Sequence, residues 1–156
     1  WYTIEYWLRK FDLEITREKL FKQYECEVKI YEEVESVLEV LKEEGYELII
    51  SSNAATEFID FQTQPIRKFF SQVFSATSDF GEVKKSNNFY ARVCDIMCVK
   101  PQEVVHTGDH WVFDFINPRK IGIHAYYLDR NRSGVNVKKE AFVITDFKGL
   151  LDVFVR

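Results

Sequence analysis

Residues 104–114 read VVHTGDHWVFD, and this stretch decides how the whole sequence is interpreted. The apolar run before Gly108 predicts a buried strand, and the glycine lets the backbone turn sharply where the strand ends. Two carboxylates follow, Asp109 directly after the glycine and Asp114 five residues later. Carboxylate oxygens are the ligands that Mg²⁺ prefers, so the stretch predicts an acidic, metal-binding loop.

Further strands and helices alternate on both sides of this loop. Apolar runs bounded by turn residues predict strands, and apolar positions at helical spacing predict the helices between them. Strands are expected over residues 46–50, 73–76, 103–107, 123–128 and 141–144, with helices near 34–41, 54–61, 66–70, 89–98, 114–120 and 150–153. Strands that alternate with helices at short spacing form a parallel sheet covered on both faces. We therefore predict an α/β fold with a Rossmann-like, three-layer core.

The beginning of the chain has a different pattern. Apolar residues recur at helical spacing from Ile4 to Phe11, and Thr16 is suited to cap a second short helix. No strand is predicted there. We expect two parts, a partial helical cap over residues 1–28 and an α/β core over residues 29–156.

Composition excludes several classes of protein. Of the 156 residues, 46% are hydrophobic, which suffices for a full core, and the net charge of −4 predicts neither a nucleic acid nor an anionic membrane as partner. No apolar run approaches the roughly 20 residues of a membrane span. The three cysteines form an odd count without framework spacing, so reduced thiols in the cytoplasm are the simplest interpretation.

Polar residues follow the predicted strands at the points where ligands bind in a doubly wound sheet. Ser51, Ser52 and Asn53 follow the first strand, Lys84 and Lys85 precede the long helix, and Asp109 and Asp114 follow the strand at 103–107. A hydroxyl, an ammonium and two carboxylates suit a phosphate and a hard divalent cation. The sequence therefore predicts a site for Mg²⁺ and a small phosphorylated molecule.

Three segments, in this order, resemble the haloacid dehalogenase superfamily. They are LIISSN at 48–53, GEVKK at 81–85, and VVHTGD at 104–109 with a second aspartate five residues on. The resemblance extends over residues 29–129, and the helical opening resembles the end of that family's mobile cap. It implies Ser52 and Lys84 as catalytic residues, Ser52, Asn53 and Lys84 as phosphate ligands, and Asp109 and Asp114 as Mg²⁺ ligands.

The lysine segment departs from the family pattern. A proline usually follows the family's lysine, but here Lys84 is followed by Lys85 and Ser86. An ungapped count back from Gly108 favours Lys84, and Lys85 is the alternative.

The family's first motif is also missing from these residues. That motif is a buried strand ending in Asp-x-Asp-x-Thr, whose first aspartate is the covalent nucleophile, and it is expected before Trp1. Residues 142–149, FVITDFKG, share its outline, but Lys148 stands where the second aspartate belongs. Without the nucleophile the family's covalent route is closed, so this stretch alone is expected to be inactive by that route.

Other polar residues receive simpler interpretations. His106 lies inside a predicted strand and is expected to pack in the core, His110 to lie in a surface loop, and Asp79 to belong to a turn before Gly81.

The resemblance implies a Mg²⁺-dependent phosphatase that acts on a small phosphorylated metabolite through an aspartyl-phosphate. A 2-haloacid dehalogenase is the alternative enzyme, although two carboxylates in the last loop argue for a metal-dependent reaction. A non-catalytic remnant with a binding role is the third hypothesis. A sheet without its central strand exposes unpaired backbone, which favours pairing with another chain, for example in a homodimer.

Overall fold

The computed structural model describes residues 3–131 and 142–154, and its strands form two parallel sheets. The strands are β1 (Ile49–Ser52), β2 (Gln72–Ser75), β3 (Val105–Gly108), β4 (His124–Leu128) and β5 (Val143–Ile144). One sheet pairs β1 with β2, and the other has the order β3-β4-β5. All these pairings are parallel, as the alternation of strands and helices predicted.

Helices precede and connect the strands. They are α1 (Ile4–Lys10), α2 (Arg17–Tyr24), α3 (Val34–Glu43), α4 (Thr56–Thr63), α5 (Asn87–Met97), α6 (Asn117–Lys120) and α7 (Lys148–Phe154). Short 3₁₀ turns cover Glu25–Glu27, Gln64–Phe69 and Pro101–Glu103, and a π-helical turn over Trp111–Ile116 runs directly into α6. None of the described helices is long and apolar enough to cross a bilayer.

The strands present alternate side chains to helices on the two faces of the sheets. On one face, α3 packs near Leu48, while α7 packs on Leu128 and Ile144. On the other face, α5 packs on Ile49 and Phe74, and the π-helical turn covers β4. The three-layer α/β core expected from the sequence is therefore confirmed.

The strand bounds differ from the predicted ones by up to three residues, and the difference is largest at the first strand. The strand predicted from Tyr46 begins three residues later, because α3 ends in a tight turn with Gly45 at φ 88° and the Tyr46 N–H bonded to the Leu41 carbonyl. The first part of the apolar run therefore completes a helix end before the strand starts. The last predicted strand is described only from residue 142, and Ala141 lies outside the described residues.

The opening helices contact the core through α4. Glu57 accepts a hydrogen bond of 2.6 Å from the Ile4 N–H and faces Arg17 at 3.5 Å. Phe21 of α2 stacks on Phe61 with ring centroids 4.6 Å apart. Thr16 caps α2 by accepting from the Lys19 N–H, as predicted.

The two sheets are separated by an apolar cleft, which we call the inter-sheet cleft. It runs between β1 and β3 and has a volume of about 460 Å³. Its walls combine both strands with apolar side chains of α3 and α7 on one face and of α5 on the other, including Leu41, Ile49, Ile50, Cys94, Val105 and Leu150. No described strand pairs with the edges of β1 and β3 that border it.

Candidate active site

A buried ion pair lies where β1 and β3 end. Lys85 is 6% exposed and Asp114 is 4% exposed, although both carry ionisable groups. The Lys85 ammonium donates to Asp114 Oδ1 and also to the Ser51 carbonyl oxygen, 3.1 Å away. Lys85 therefore joins the end of β1 to the helical segment that follows β3.

The backbone of Lys85 is fixed from two directions. Its N–H donates to Asn53 Oδ1 at 2.6 Å, and its carbonyl oxygen accepts from Asn117 Nδ2 at 2.8 Å. The next residue, Ser86, begins α5 by accepting a hydrogen bond of 3.1 Å from the Phe89 N–H. Because three elements hold this loop, the lysine side chain has little freedom to leave the site.

Lys84 faces away from this pair. It is exposed, and its ammonium lies 5.4 Å from the centre of the Phe113 ring. Lys84 lies in a bend, and of the two adjacent lysines only Lys85 is buried. The count from Gly108 favoured Lys84, whereas the structure brings Lys85 to the strand ends.

Both oxygens of the Asp114 carboxylate accept hydrogen bonds. Besides Lys85, Oδ1 lies 2.8 Å from His106 Nε2 and 3.4 Å from the Tyr90 hydroxyl, and Oδ2 accepts from the His110 N–H at 3.1 Å. Burial alone would raise the pKa of Asp114, but the hydrogen bond from His106 and the charge of Lys85 outweigh it. The pKa therefore lies well below its usual range, and the carboxylate stays ionised.

His106 and Tyr90 complete the polar network. The Tyr90 hydroxyl donates to the Phe113 carbonyl at 2.8 Å and lies 3.0 Å from His106 Nε2. Burial lowers the pKa of His106, and burial together with the charge of Asp114 raises the pKa of Tyr90. Both groups are therefore neutral at pH 7. A carboxylate only accepts hydrogen bonds, so His106 carries its proton on Nε2.

The sequence predicts His106 in the core and indicates no functional role for Tyr90. One feature of the sequence indicates that these residues interact. Tyr90 and His106 both have polar groups at the ends of their side chains, and both occupy inward positions, on α5 and on β3. Such a pair needs mutual partners once it is buried.

Gly108 is required by the close approach of Asp114. A Cβ atom at Gly108 would lie 2.8 Å from the Asp114 Cβ, which is closer than van der Waals contact allows. The φ angle of Gly108 is not positive, so other residues could also adopt this backbone conformation. The prediction that the glycine is needed for a sharp backbone turn is therefore wrong. The absence of a side chain at Gly108 lets the π-helical turn bring its carboxylate to the strand end.

Asp109, unlike Asp114, is exposed. It lines a second cavity of about 500 Å³, bordered by the segment 29–34 and by the residues that follow β4. The described residues contain no group of three or more His, Cys, Asp or Glu side chains that would form a complete metal site. Asp109 is thus the accessible carboxylate of the predicted pair, whereas the oxygens of Asp114 are committed to protein donors.

Ser52, the last residue of β1, and Asn53, which follows it, lie at the carboxyl end of this strand. Ser52 Oγ accepts from the Ala54 N–H at 3.1 Å, which leaves its hydroxyl hydrogen to donate elsewhere. Asn53 uses its side-chain oxygen for the Lys85 N–H and does not cap α4, whose N-cap is Ala55. Asp79 accepts from the Ser75 N–H at 2.7 Å within a turn, as predicted.

Together, these features define a Rossmann-like α/β core with a charged site at the carboxyl ends of its parallel strands. A family model described as haloacid dehalogenase-like hydrolase matches residues 2–127. The chain belongs to this family of hydrolases. A comparison with curated protein sequences finds no match.

Solved structures of low sequence identity have the same fold. A HAD phosphatase from Thermococcus onnurineus superposes with a TM-score of 0.85 at 20% identity, over 99% of this chain and 72% of that one. A predicted phosphoglycolate phosphatase from Haemophilus somnus 129pt gives 0.72 at 19% identity, over 96% and 73%. A 2-haloacid dehalogenase from Pseudomonas syringae pv. Tomato DC3000 gives 0.68 at 21% identity, over 80% and 53%.

Proposed function

We propose that this chain forms the core of a Mg²⁺-dependent phosphatase that acts on a small phosphorylated molecule. The observation that carries the proposal is the buried pair of Lys85 and Asp114 at the carboxyl ends of β1 and β3. A preorganised ammonium in a site shielded from water stabilises the charge that develops on a transferring phosphoryl group. We assign this role to Lys85 in place of Lys84.

Ser52 and Asn53 supply the neutral donors of the proposed phosphate site. The Ser52 hydroxyl retains its hydrogen for a phosphate oxygen, and the Asn53 amide nitrogen is the donor end of a side chain whose oxygen holds Lys85. Both residues lie within the segment that ends β1, so they share one rigid support with the Ser51 carbonyl. Rigid donors need no reorganisation as charge builds up on the substrate.

The donor set fits Mg²⁺ through Asp109. Mg²⁺ keeps several waters and binds proteins through one or two carboxylates together with substrate phosphate, so one exposed carboxylate beside a cavity is a suitable anchor. Bound there, the ion would neutralise charge on the phosphoryl oxygens. Asp114, predicted as a second ligand, is better suited to hold Lys85 in position, because its two oxygens accept from Lys85, His106 and the His110 N–H.

The proposed reaction needs an aspartate nucleophile from the family's first motif. The attacking carboxylate would stand at the carboxyl end of the inter-sheet cleft, next to Lys85, and form an aspartyl-phosphate as the ester's P–O bond breaks and its alcohol leaves. Water would then cleave the aspartyl-phosphate, which releases inorganic phosphate and restores the carboxylate. We further propose that residues 1–28, which contact the core through α4, belong to a cap that covers the substrate.

The two adjacent lysines provide a matched test of this site. Hydrolysis of p-nitrophenyl phosphate is measured with the complete natural polypeptide that contains these residues, in Mg²⁺ and in EDTA. We expect Lys85→Met to lower kcat/KM at least about 100-fold, as loss of a preorganised donor does. Lys84→Met is expected to change it less than about 3-fold, as is Lys42→Met at an exposed site on α3.

Three results contradict the proposal. Phosphate release that is absent from the complete polypeptide in Mg²⁺ rejects the activity. Release that is unchanged by EDTA rejects the metal. A loss caused by Lys84→Met but not by Lys85→Met returns the catalytic role to the lysine that the sequence count favoured.

A 2-haloacid dehalogenase is the second candidate. It is favoured by one observation, namely that Asp114 is buried and both of its oxygens accept hydrogen bonds from protein groups, so this loop holds one accessible carboxylate where two were expected. Chloride release from 2-chloropropionate that persists in EDTA, without phosphate release, would select this reaction.

A further inference from the structure

The helical turn that carries Asp114 needs a donor from outside its own backbone. In this π-helical turn, the Asn117 N–H bonds to the Val112 carbonyl, five residues back. The next donor in this pattern would come from Pro118, which has no N–H. The Phe113 carbonyl, which directly precedes Asp114 in the chain, therefore has no donor in this pattern.

Tyr90 supplies that donor from α5. It is 2% exposed, and its hydroxyl donates to the Phe113 carbonyl at 2.8 Å. Its ring packs edge-on against the rings of Phe89 and His106, with centroids 5.2 and 5.1 Å away. Because the ring is fixed in this way, its hydroxyl holds the backbone just before Asp114 at one distance from α5.

His106 fixes the carboxylate itself from β3. Its Nε2 atom lies 2.8 Å from Asp114 Oδ1 and 3.0 Å from the Tyr90 hydroxyl. Asp114 Oδ2 accepts from the His110 N–H, so each oxygen has a protein donor in addition to Lys85. The backbone before Asp114 and the orientation of its carboxylate are thus set from two elements, α5 and β3.

The position of this carboxylate decides the direction of the Lys85 ammonium. A lysine ammonium has three N–H groups, and two of those on Lys85 have described acceptors, namely the Ser51 carbonyl and Asp114 Oδ1. Since the N–H groups are arranged tetrahedrally about the nitrogen, two fixed directions determine the third. A displacement of the Asp114 carboxylate therefore turns the N–H group that remains for a ligand.

We propose that Tyr90 and His106 are positioning residues for the phosphoryl transfer, and that they act through Asp114 to direct the remaining N–H group of Lys85 towards a phosphoryl oxygen. This inference rests on the proposed function. A misplacement of about 1 Å can cost on the order of 100-fold in rate. The other donors of the proposed phosphate site are untouched, so the loss should appear mainly in kcat rather than in KM.

The first test compares a substitution at His106 that removes the hydrogen bond with one that keeps it. Hydrolysis of p-nitrophenyl phosphate is measured in Mg²⁺ with the complete natural polypeptide. His106→Met removes the donor, whereas His106→Gln keeps a side-chain N–H near the position of Nε2. We expect His106→Met to lower kcat at least about 10-fold, with KM changed less than about 3-fold. His106→Gln should recover most of that loss.

Tyr90→Phe removes only the hydroxyl that holds the Phe113 carbonyl. We expect a fall in kcat of about 3- to 10-fold, as loss of one neutral hydrogen bond implies, again with little change in KM. The matched controls are Tyr126→Phe and His124→Met, which lie on β4 outside the network. These two variants should leave kcat unchanged.

A double-mutant cycle with Lys85 separates positioning from a general loss of structure. If His106 acts through Lys85, then His106→Met should lower kcat no further in the Lys85→Met protein, whereas a general loss of structure would lower it in both proteins. If Lys85→Met does not fold, then the NMR resonance of the Lys85 ammonium replaces the cycle. We expect this resonance to be visible in the natural protein and in His106→Gln, and to be broadened by exchange with water in His106→Met.

The results distinguish failure of the positioning role from failure of the proposed function. Phosphate release that does not depend on Lys85 contradicts the proposed function, and the positioning role with it. Release that depends on Lys85 but is unchanged by His106→Met contradicts the role of His106, and the same result for Tyr90→Phe contradicts the role of Tyr90. An additive double-mutant cycle, or an ammonium resonance that is the same in His106→Met as in the natural protein, also overturns the positioning role.

Discussion

The polar network at the strand ends and the inter-sheet cleft beneath it are opposite in character. In the network of Lys85, Asp114, His106 and Tyr90, every side chain has a hydrogen-bond partner. In the cleft, no described strand pairs with the two backbone edges, and the Thr107 hydroxyl has no hydrogen-bond partner among the described residues. The charged network is therefore preorganised by contacts within the described residues, whereas the cleft lies between two strand edges without a neighbouring strand.

The largest expected effect comes from breaking the network at Lys85. Lys85→Met leaves the Asp114 carboxylate buried without its ammonium partner, and breaking a buried pair typically costs about 3–5 kcal/mol. Lys84→Met removes an exposed charge and should change the unfolding free energy by less than about 0.5 kcal/mol. Urea denaturation of the two variants measures the difference. Equal stabilities would show that the pair does not hold the strand ends together.

A smaller loss of unfolding free energy is expected when the contact between Gly108 and Asp114 is disturbed. Gly108→Ala puts a Cβ against the Asp114 side chain, and overpacking of this kind costs about 1–3 kcal/mol. The cost should shrink when Asp114 is also replaced by alanine, because the clash is then removed. A double-mutant cycle measures this coupling. Additive effects would indicate that Gly108 has another role.

The sequence predicted the layers of this fold better than the contacts within its site. Strand and helix order follow from the period of the apolar residues, which is local information. The choice between Lys84 and Lys85 depends on the direction of one bend, held by Asn53 and Asn117 from distant parts of the chain. Residue type also does not reveal which carboxylates are exposed. Asp109 is exposed, whereas Asp114 is buried and hydrogen-bonded to protein groups.

The sequence predicts only part of what the inter-sheet cleft shows. The missing first motif predicted an unpaired edge, but not which two strands would border it or that the Thr107 hydroxyl would be left without a partner. These facts depend on sheet order, and connections between parallel strands leave several orders open.

A third prediction uses pH to probe the network from His106. Its pKa in the folded protein lies below the ordinary value of 6.5 because of burial. Below about pH 6.5 the unfolded chain therefore binds a proton that the folded chain resists, so stability falls as the pH drops from that value towards the lower folded pKa. His106→Asn should remove this slope, which for one proton is at most about 1.4 kcal/mol per pH unit.

The control for the pH experiment is His124→Asn, at an exposed residue where β4 begins. Unfolding free energies are measured from pH 5 to pH 7.5 in EDTA, so that metal binding does not contribute. If the pH dependence of the unfolding free energy remains in His106→Asn and disappears in His124→Asn, then the proton binds at His124. That result would contradict the prediction.

The smallest expected effect tests the cleft and has the opposite sign. Thr107→Val keeps the shape of the side chain and removes a buried hydroxyl that has no partner among the described residues. An unsatisfied buried group costs about 1–3 kcal/mol, so we expect the free chain to gain up to about 1 kcal/mol, or a rise in Tm of about 2–4 °C. Thr63→Val is the matched control, because that hydroxyl donates to the Ile59 carbonyl at 2.7 Å and its loss should lower Tm. If Thr107→Val also lowers Tm, then the Thr107 hydroxyl has a hydrogen-bond partner. The contrast between the unpaired cleft and the fully paired network would then be wrong.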